Sequence, residues 1–463
     1  MSSLTQGALI GALAMVLFMT GMPIAFALAL TAIISILLFL GPAQFDLFGQ
    51  FVFESLNDFG LLAIPLFVLM GNLFGGSVAS RHLFEAGEAW LARVRGGLAM
   101  SSVVASSIFA ALTGSSPATS AAIGRVAVPQ MQERGVSARI ATGAVAAGGT
   151  LGILIPPSVT LILYGIASEQ SIGQLFAAGI VPGILVTVLF CVWIYIASSL
   201  ELRRRPVPAA VTASGEAGEP LAGGVPATAS RAPQRQELPR YSWGDRFRAL
   251  LKVLPFVALI VAVLTVLYAG IATPSEAAAV GVVLVFLLVA VAYRGLRGKE
   301  FLKVLLETTN QSTMILTITA FSAVIATVLS FLRVPQDLAA LVTELEVNRW
   351  VVMVAINLVL LVMGLFLPPV SIIVMTTPIL YPLIVGLGFD PIWFGIIMTL
   401  NMEMGLITPP VGLNLYVLKG IAPEVPLKEI LLGATPYVGV LALGIVLLSV
   451  FPGLVTWLPQ LLY

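Results

Sequence analysis

Residues 7–41, 97–124 and 431–451 each run without a single charged side chain. A bilayer core takes about 20 consecutive apolar helical residues to cross, and stretches of this length, three times over, point to lipid as the solvent for most of the chain. The composition agrees: 23 basic and 22 acidic residues among 463, 59% hydrophobic residues and a mean hydropathy of +1.05, where an average soluble domain carries about 25% charge. An ordinary soluble protein is excluded. A net charge of +1 makes no general case for nucleic acid, the single Cys191 allows neither an intrachain disulfide nor a thiolate metal cluster, and the single His82, expected to be solvated, leaves imidazole chemistry little to work with. The first residues lack the positively charged start of a secretory signal and read as a mature first span.

Only residues 201–248 read as water-solvated. They are rich in Pro, Ala, Gly, Ser and Arg, hold 13 of the charges and are expected to form a flexible linker. Three of its arginines, Arg203, Arg204 and Arg205, directly follow a span and place the linker in the cytoplasm by the positive-inside bias. The chain is thereby divided into a first half, 1–200, and a second, 249–463. The halves superpose at an offset of 253 residues: Pro129 falls on Pro382, Gly135 on Gly388, Gly152 on Gly405, Pro156 on Pro409, Pro157 on Pro410, Glu54 on Glu307 and Asn57 on Asn310. Glycine and proline matches report shared backbone geometry, so one register serving a whole half predicts an internal structural repeat.

Loop charge then sets direction. Residues 42–60 hold Asp46, Glu54 and Asp58 but no base and should face outward; 80–96, with Arg81, Arg93 and Arg95, should face inward. The apolar run 97–124 follows and ends in another basic loop with Arg125, Arg134 and Arg139. With one side of the membrane at both ends and Thr113-Gly114-Ser115-Ser116-Pro117 in its middle, it reads as a re-entrant helical hairpin. Tandem proline removes two amide donors, so residues 140–165 read as a helix broken at Gly148–Ser158. In the second half the signs reverse. Basic residues 294–303 lie inside, a span at about 309–331 goes outward, a hairpin at 350–387 enters from outside with its tip at 364–371, and a second broken helix covers 392–417. The expectation is about ten spans plus two hairpins, inverted between the halves, with both termini outside. Glu54–Asn57 and Glu307–Asn310 should sit on short connecting helices at the two surfaces.

Irregular backbone is tolerated in a membrane only where it is buried in protein or lines a wet cavity, so the tips and breaks should line a site. Half-helix ends there expose free N–H groups to anions and free carbonyls to cations. Candidates for contact with an anionic substrate are Ser115, Ser116, Pro117 and Thr119 at the first tip, Arg125 behind it, and Pro156, Pro157, Pro409, Pro410 and Asn414 at the breaks. Sodium suits hard neutral oxygens. Gly114, Ser116, Gly149, Thr150 and Gly152 are candidates for one Na⁺ site, and Leu367, Pro368, Glu403, Gly405 and Thr408 for another. Arg125 could equally mark the cytoplasmic mouth of the hairpin, and Glu403, a carboxylate expected near the midplane, could brace a neighbouring helix. Small residues in membrane helices usually serve close packing, and Ser or Thr often bonds its own backbone; the assignment rests on clustering at matched breaks.

GSSPATSAAIG (114–124), LGILIPPS (151–158), FLPPVSIIVMTTPILYPL (366–383) and GFDPIWFGIIMTLNMEMGLITPPVGLNLYV (388–417) stand in this order. With these blocks the chain resembles the large membrane subunit of tripartite ATP-independent periplasmic (TRAP) transporters, the DctM type, over nearly all its length except the 201–248 linker, which is longer than the family needs. The resemblance implies an all-α polytopic membrane protein with an inverted repeat, working as a sodium-driven elevator in the bacterial inner membrane. It implies a small DctQ-type membrane subunit and a soluble periplasmic substrate-binding protein as separate partners, and a small organic acid such as a C4-dicarboxylate or sialic acid as substrate. It implies Na⁺ as coupling ion, no other cofactor and no enzymatic activity. No Gly-rich Walker motif ending in Lys-Ser or Lys-Thr is present, in keeping with an ion gradient as the energy source. Two rivals are a self-sufficient ion-coupled anion carrier and a membrane lipid pyrophosphate phosphatase. The second would need Glu, Arg and His gathered at the tips, where Gly, Ser, Pro and Leu stand instead.

Overall fold

A chain with lipid as its solvent must satisfy its own backbone. Among the described residues of this computed structural model (1–204, 241–293, 298–344 and 347–463), every regular element is a helix. Six are long and apolar enough to cross a membrane: Ile172–Glu201, Trp243–Tyr268, Pro274–Val291, Gly298–Phe331, Pro369–Gly386 and Leu427–Val450. The expected ten spans are therefore not all of that length. Ser3–Met19, Ile24–Leu40, Gly97–Thr113, Val159–Ser168, Arg349–Gly364 and Gly453–Leu462 are apolar but shorter, at 10–17 residues, because Gly and Pro punctuate the sequence between them.

The first hairpin consists of Gly97–Thr113 and Ser116–Glu133, joined at Gly114 and Ser115. Its second arm continues past the expected end at residue 124, so Arg125 lies inside a helix and not in a loop. The helix stops where backbone geometry demands it. Gly135 takes φ +77° and the Val136 amide bonds back to the Met131 carbonyl at 2.9 Å, the glycine-terminated ending that the loss of hydrophobicity at 124 does not signal. Ala138–Thr150 and Val159–Ser168 form the broken helix around Leu151–Ser158. In the second half Arg349–Gly364 and Pro369–Gly386 form the hairpin, and Pro391–Leu406 with Leu413–Ile421 the broken helix, which reaches four residues beyond the expected 417. Pro156–Pro157 and Pro409–Pro410 are both cis.

Shifted by 253, the bounds of Ser116–Glu133 become 369–386, those observed for the second hairpin's second arm. One departure is instructive. Glu54 sits on the short helix Phe48–Leu56, whose stretch Pro42–Leu56 is bent by 60° from Phe59–Gly75, whereas Glu307–Asn310 lie within the continuous 34-residue helix Gly298–Phe331 and form no short connector. Asn57, Asp58 and Gly60 make the first break, the Asp58 carboxylate accepting from the Gly60 amide at 2.6 Å. Gln311 and Thr313 stand where Asp58 and Gly60 would map, and neither interrupts a helix. The expected linker is also narrower than 201–248. The helix Ile172–Arg204 runs into it and Trp243–Tyr268 begins before its end, capped by Ser242 and Asp245; the remainder lies outside the described residues.

Ser3–Met19, Ile24–Ser35, Ala63–Gly75, Trp243–Tyr268, Pro274–Leu287 and Gly298–Phe331 form an outer frame, which meets the first hairpin through Ala63–Gly75 and the second through Gly298–Phe331. Close crossings hold the interior. A Cβ on Gly143 would stand 2.3 Å from the Gly433 carbonyl oxygen, and one on Gly433 would stand 2.3 Å from the Arg139 carbonyl oxygen, so these helices touch backbone to backbone. Where they meet, the Arg139 guanidinium pairs with Glu429. A second ion pair joins Arg134, at the foot of the first hairpin, to the buried Glu88 of Ala79–Leu91, which also accepts from the Tyr241 hydroxyl at 2.9 Å. His82 is not simply solvated: it is half-buried with its ring 5.9 Å from that of Tyr293.

Replacing Gly433 with leucine forces these two helices apart and is expected to destabilise the protein by about 3 kcal/mol or more, read as thermal unfolding in detergent; Gly420→Leu, where nothing lies within 4 Å, serves as control. Burial lowers the His82 pKa, opposed by Glu85 and aided by Lys252 and Arg81. The fold thus favours neutral imidazole, and this contribution is complete above the unperturbed value of 6.5 and lost as the pH falls below it. Acidification from pH of about 7.5 to about 5 should lower the unfolding temperature less in His82→Gln than in the parent protein.

Candidate functional site

The two hairpin tips and the two helix breaks converge on one cavity of about 420 Å³. From the first hairpin it is lined by Thr113 to Ala118, from the second by Pro368 to Val370, from the first break by Ile153, Val159 and Thr160, and from the second by Leu406 and Leu413. The frame closes it with Val68, Gly71 and Asn72 on one side and Gln311, Met314 and Ile315 on the other. No charged side chain lines it.

Four helices present their N-terminal ends to this space. Ser116–Glu133 starts at the tip with Ser115 extended at φ −135° and no side chain capping its first turn, and Pro369–Gly386 and Leu413–Ile421 are likewise uncapped by side chains. Val159–Ser168 is capped by Ser158, whose hydroxyl accepts from the Leu161 amide at 3.3 Å. An uncapped N-terminus leaves backbone N–H groups without intrahelical partners and carries roughly half a positive charge. Convergent ends of this kind attract an anion without any lysine or arginine. Two helix C-termini arrive as well, Thr113 with Gly114 at φ +56° and Leu406, and their free carbonyls suit a cation.

The sequence-derived residues divide sharply. Ser115, Ser116 and Pro117 line the cavity together with Gly114 and Pro368. Thr119 is buried one turn behind, its hydroxyl donating to the Ser115 carbonyl at 2.8 Å and 2.9 Å from that of Thr113. Asn414 is fully buried and reaches from the second half into the first, donating to the Ser116 hydroxyl at 2.8 Å and to the Ala146 carbonyl at 3.3 Å. Pro156 and Pro157 are buried outside the lining, while Pro409 and Pro410 are exposed and also stand outside it. Arg125 is exposed two turns beyond the tip and is not brought to the cavity. Because a helix continues past the tip, an arginine nine residues along it is carried away from the space the tip enters.

Around the first break, Gly149, Thr150 and Gly152 are buried against the first hairpin. A Cβ on Gly152 would meet the Ser115 carbonyl at 2.7 Å, and one on Gly149 the Ser120 hydroxyl at 1.8 Å. Thr150 donates to the Ala147 carbonyl at 2.7 Å. The second break mirrors this: Gly405 lies against the Gly364 carbonyl, 2.5 Å from where a Cβ would be, and the Val411 amide donates to the Leu365 carbonyl at 3.2 Å. Thr408 donates to Met404 O at 2.5 Å, and Leu367 is buried. Glu403 is fully buried on the helix leading to this break, and neither of its carboxylate oxygens has a hydrogen-bond partner among the described residues.

Sequence reasoning missed Asn72 and Gln311. Asn72 donates to the Thr308 hydroxyl at 3.1 Å and to Gln311 Oε1 at 3.3 Å, bridging two frame helices at the cavity wall. An amide inside an apolar run was the available signal for Asn72; Gln311 stands in the polar stretch 307–313 and carries no such signal. Asn401, on the helix leading to the second break, donates to the backbone and side-chain oxygens of Asn357 at 2.8 and 3.0 Å.

Asn414→Leu breaks the link between the halves and strands the Ser116 hydroxyl, with an expected loss of about 1–3 kcal/mol. Thr150→Val removes only a bond within one helix and should cost about 1 kcal/mol or less; thermal unfolding in detergent distinguishes the two.

Residues 11–454 match the family described as "Tripartite ATP-independent periplasmic transporter, DctM component". The chain is 37% identical over 434 residues to the C4-dicarboxylate TRAP transporter large permease protein DctM of Pseudomonas aeruginosa, covering 94% of each protein. It is 32% identical over 402 residues to the isethionate TRAP transporter permease protein DctMQ of Oleidesulfovibrio alaskensis, covering 87% of this chain and 58% of that one. Among solved structures it is similar in fold to the YdaH transporter of Alcanivorax borkumensis, at 16% identity and a TM-score of 0.56 over 90% of both chains. The Pseudomonas aeruginosa and Oleidesulfovibrio alaskensis relatives are named as permease proteins and not as enzymes. The chain therefore belongs to the DctM family, the large permease components of TRAP transporters, and is a multi-pass membrane protein.

Proposed function

We propose that this chain carries a small organic acid across the bacterial inner membrane, driven by Na⁺, with the 420 Å³ cavity as the substrate site. The observation that carries the reading is the arrival of four helix N-termini at one cavity without charged side chains. A carboxylate fits there because backbone amides and helix dipoles supply the attraction, and a group held this way leaves more readily than from an arginine ion pair. Asn72, Gln311 and Thr160 add polar contacts that orient the remainder of the solute. The relatives favour the same class, since the names of two of them specify C4-dicarboxylate and isethionate, both small organic anions.

Sodium would be held in two places. The first place would draw on the Ser115 carbonyl, which packs against Gly152, with Gly114, Ser116, Gly149 and Thr150; the second would draw on Leu367, Pro368, Gly405, Thr408 and Glu403, whose carboxylate oxygens have no hydrogen-bond partner among the described residues. The absence of side chains at Gly152 and Gly405 is what lets the backbones approach, and a buried carboxylate without a donor fits a neighbouring cation. Transport would follow an elevator cycle: the hairpins and broken helices move as one inverted-repeat body, and the tips alternately face the two sides within the frame. A DctQ-type small subunit and a periplasmic binding protein complete the system, and the DctMQ relative, in which the match leaves 42% of the length uncovered, has room for the small subunit on the same chain. Of the side chains proposed from sequence, Arg125 has no place in this site.

The test is uptake into proteoliposomes holding this chain with a DctQ-type small subunit and a periplasmic binding protein. Ser115→Asp sets a negative charge at the first tip and should reduce uptake at least about tenfold, since like charges a few ångströms apart cost more than 1.4 kcal/mol at the effective dielectric of a protein site; Ser115→Asn should retain most of it. Ser116→Leu or Thr408→Leu should abolish the response to Na⁺ in protein that still unfolds cooperatively. Undiminished Na⁺-dependent uptake in these variants refutes the ion assignment, and uptake by this chain alone favours the self-sufficient carrier.

A further inference from the structure

A second pair of cavities lies away from the substrate site, between the frame helix Ser3–Met19 and the second hairpin. Their volumes are about 420 and 440 Å³, and they share Gly11, Ala14, Val359, Met363 and Met375, so they form one cleft. Its chemistry is one-sided. Thr376 is the one residue with a polar side chain on its walls, and that hydroxyl already donates to the Ile372 carbonyl at 2.7 Å. A space of this kind does not hold water, which needs two to four polar partners, and it takes an apolar guest. The cleft is open at Gly11, where a Cβ would meet nothing within 4 Å. It is also open sideways to the surrounding membrane, past Leu358, Val359 and Val362, which are 58%, 59% and 52% exposed.

Length and charge identify the guest. Along the frame helix the cleft runs from Gly7 to Phe18, which at 1.5 Å per residue is about 16 Å. This is the depth of one leaflet, half of a hydrocarbon core of about 30 Å. The Gly7 end is the polar one. Val334 packs against Gly7 and directly follows Arg333, and Val352, also on the cleft wall, lies within one turn of Arg349. Both arginines are exposed, and neither makes an ion pair among the described residues. Arg333 holds φ +58°, and Arg349 lies over the rings of Trp350 and Phe389 at 5.9 and 5.2 Å, the aromatic company usual at a membrane interface. Two acids of this region are otherwise engaged: Asp337 accepts from the Ser3 hydroxyl, and Asp390 caps Trp393.

We propose that this cleft binds one acyl chain of an anionic phospholipid, with the phosphodiester on Arg333 and Arg349. The lipid would fill the gap between the frame and the second hairpin. The site is independent of the substrate reading above and requires only that the chain be embedded in a bilayer.

Protein purified in mild detergent and washed extensively is expected to keep about one phospholipid per chain by phosphorus assay, and to gain thermal stability on addition of phosphatidylglycerol over phosphatidylcholine. Gly11→Phe fills the cleft and should lose the lipid, while Gly439→Phe, on an exposed position with nothing within 4 Å, should keep it. The double variant R333Q/R349Q should lose the preference for phosphatidylglycerol. A diazirine-tagged acyl chain should label the wild-type protein on the peptide carrying Val359 and Met363, a readout that needs no variant to fold. An unchanged lipid count in Gly11→Phe, a preference surviving in the double variant, a bound fatty acid without phosphorus, or labelling confined to other faces would each overturn the proposal.

Discussion

Everything in this fold follows from broken helices meeting inside an apolar body, where lipid offers them no hydrogen bond. A helix interrupted inside an apolar body exposes amides and carbonyls that cost several kcal/mol each if left alone. Here the interruptions satisfy one another. The Val411 amide at the second break bonds the Leu365 carbonyl at the second tip, and the Ser158 hydroxyl accepts from Leu161 while donating to the Ile153 carbonyl at 2.6 Å. Glycine makes the approach possible: Gly152 rests on Ser115 and Gly405 on Gly364, each with backbone where any other residue would place a side chain.

That mutual dependence also joins the two halves. Asn414 crosses to Ser116 and Ala146, and the Tyr164 hydroxyl donates to the Pro391 carbonyl at 2.6 Å. The groups not consumed in these bonds are left at the cavity, N–H groups at four helix starts and carbonyls at two helix ends. A site made from helix termini has a consequence that one made from ionic side chains lacks. Its charge is fixed by the fold and does not titrate, and it can receive an anion beside a cation within a few ångströms.

Much of this was legible in the sequence because glycine and proline carry backbone geometry directly. Tandem prolines located both breaks, and the offset of 253 residues aligned the second arms of the two hairpins to the residue and the first arms to within two. What sequence reading missed had physical reasons. Helix ends governed by a left-handed glycine do not coincide with ends of hydrophobic runs, so Ser116–Glu133 was read as ending too early and Arg125 was drawn toward the site. The connector around Glu307 was expected by analogy with the first half, and the substitution of Gln311 and Thr313 for Asp58 and Gly60 removed the break. Asn72 and Gln311 come from different halves and are unrelated by the repeat, so only tertiary packing brings them together.

The central claim is that both tips face water across a shared cavity deep in the membrane. Single cysteines at Ser115 and Val370, introduced with Cys191→Ser, can be treated with a small hydrophilic thiol reagent in the assembled transporter with and without substrate and Na⁺. The account predicts that both positions react and that substrate with Na⁺ slows both. Tips that react only with lipid-soluble reagents, or whose labelling ignores substrate, would contradict it.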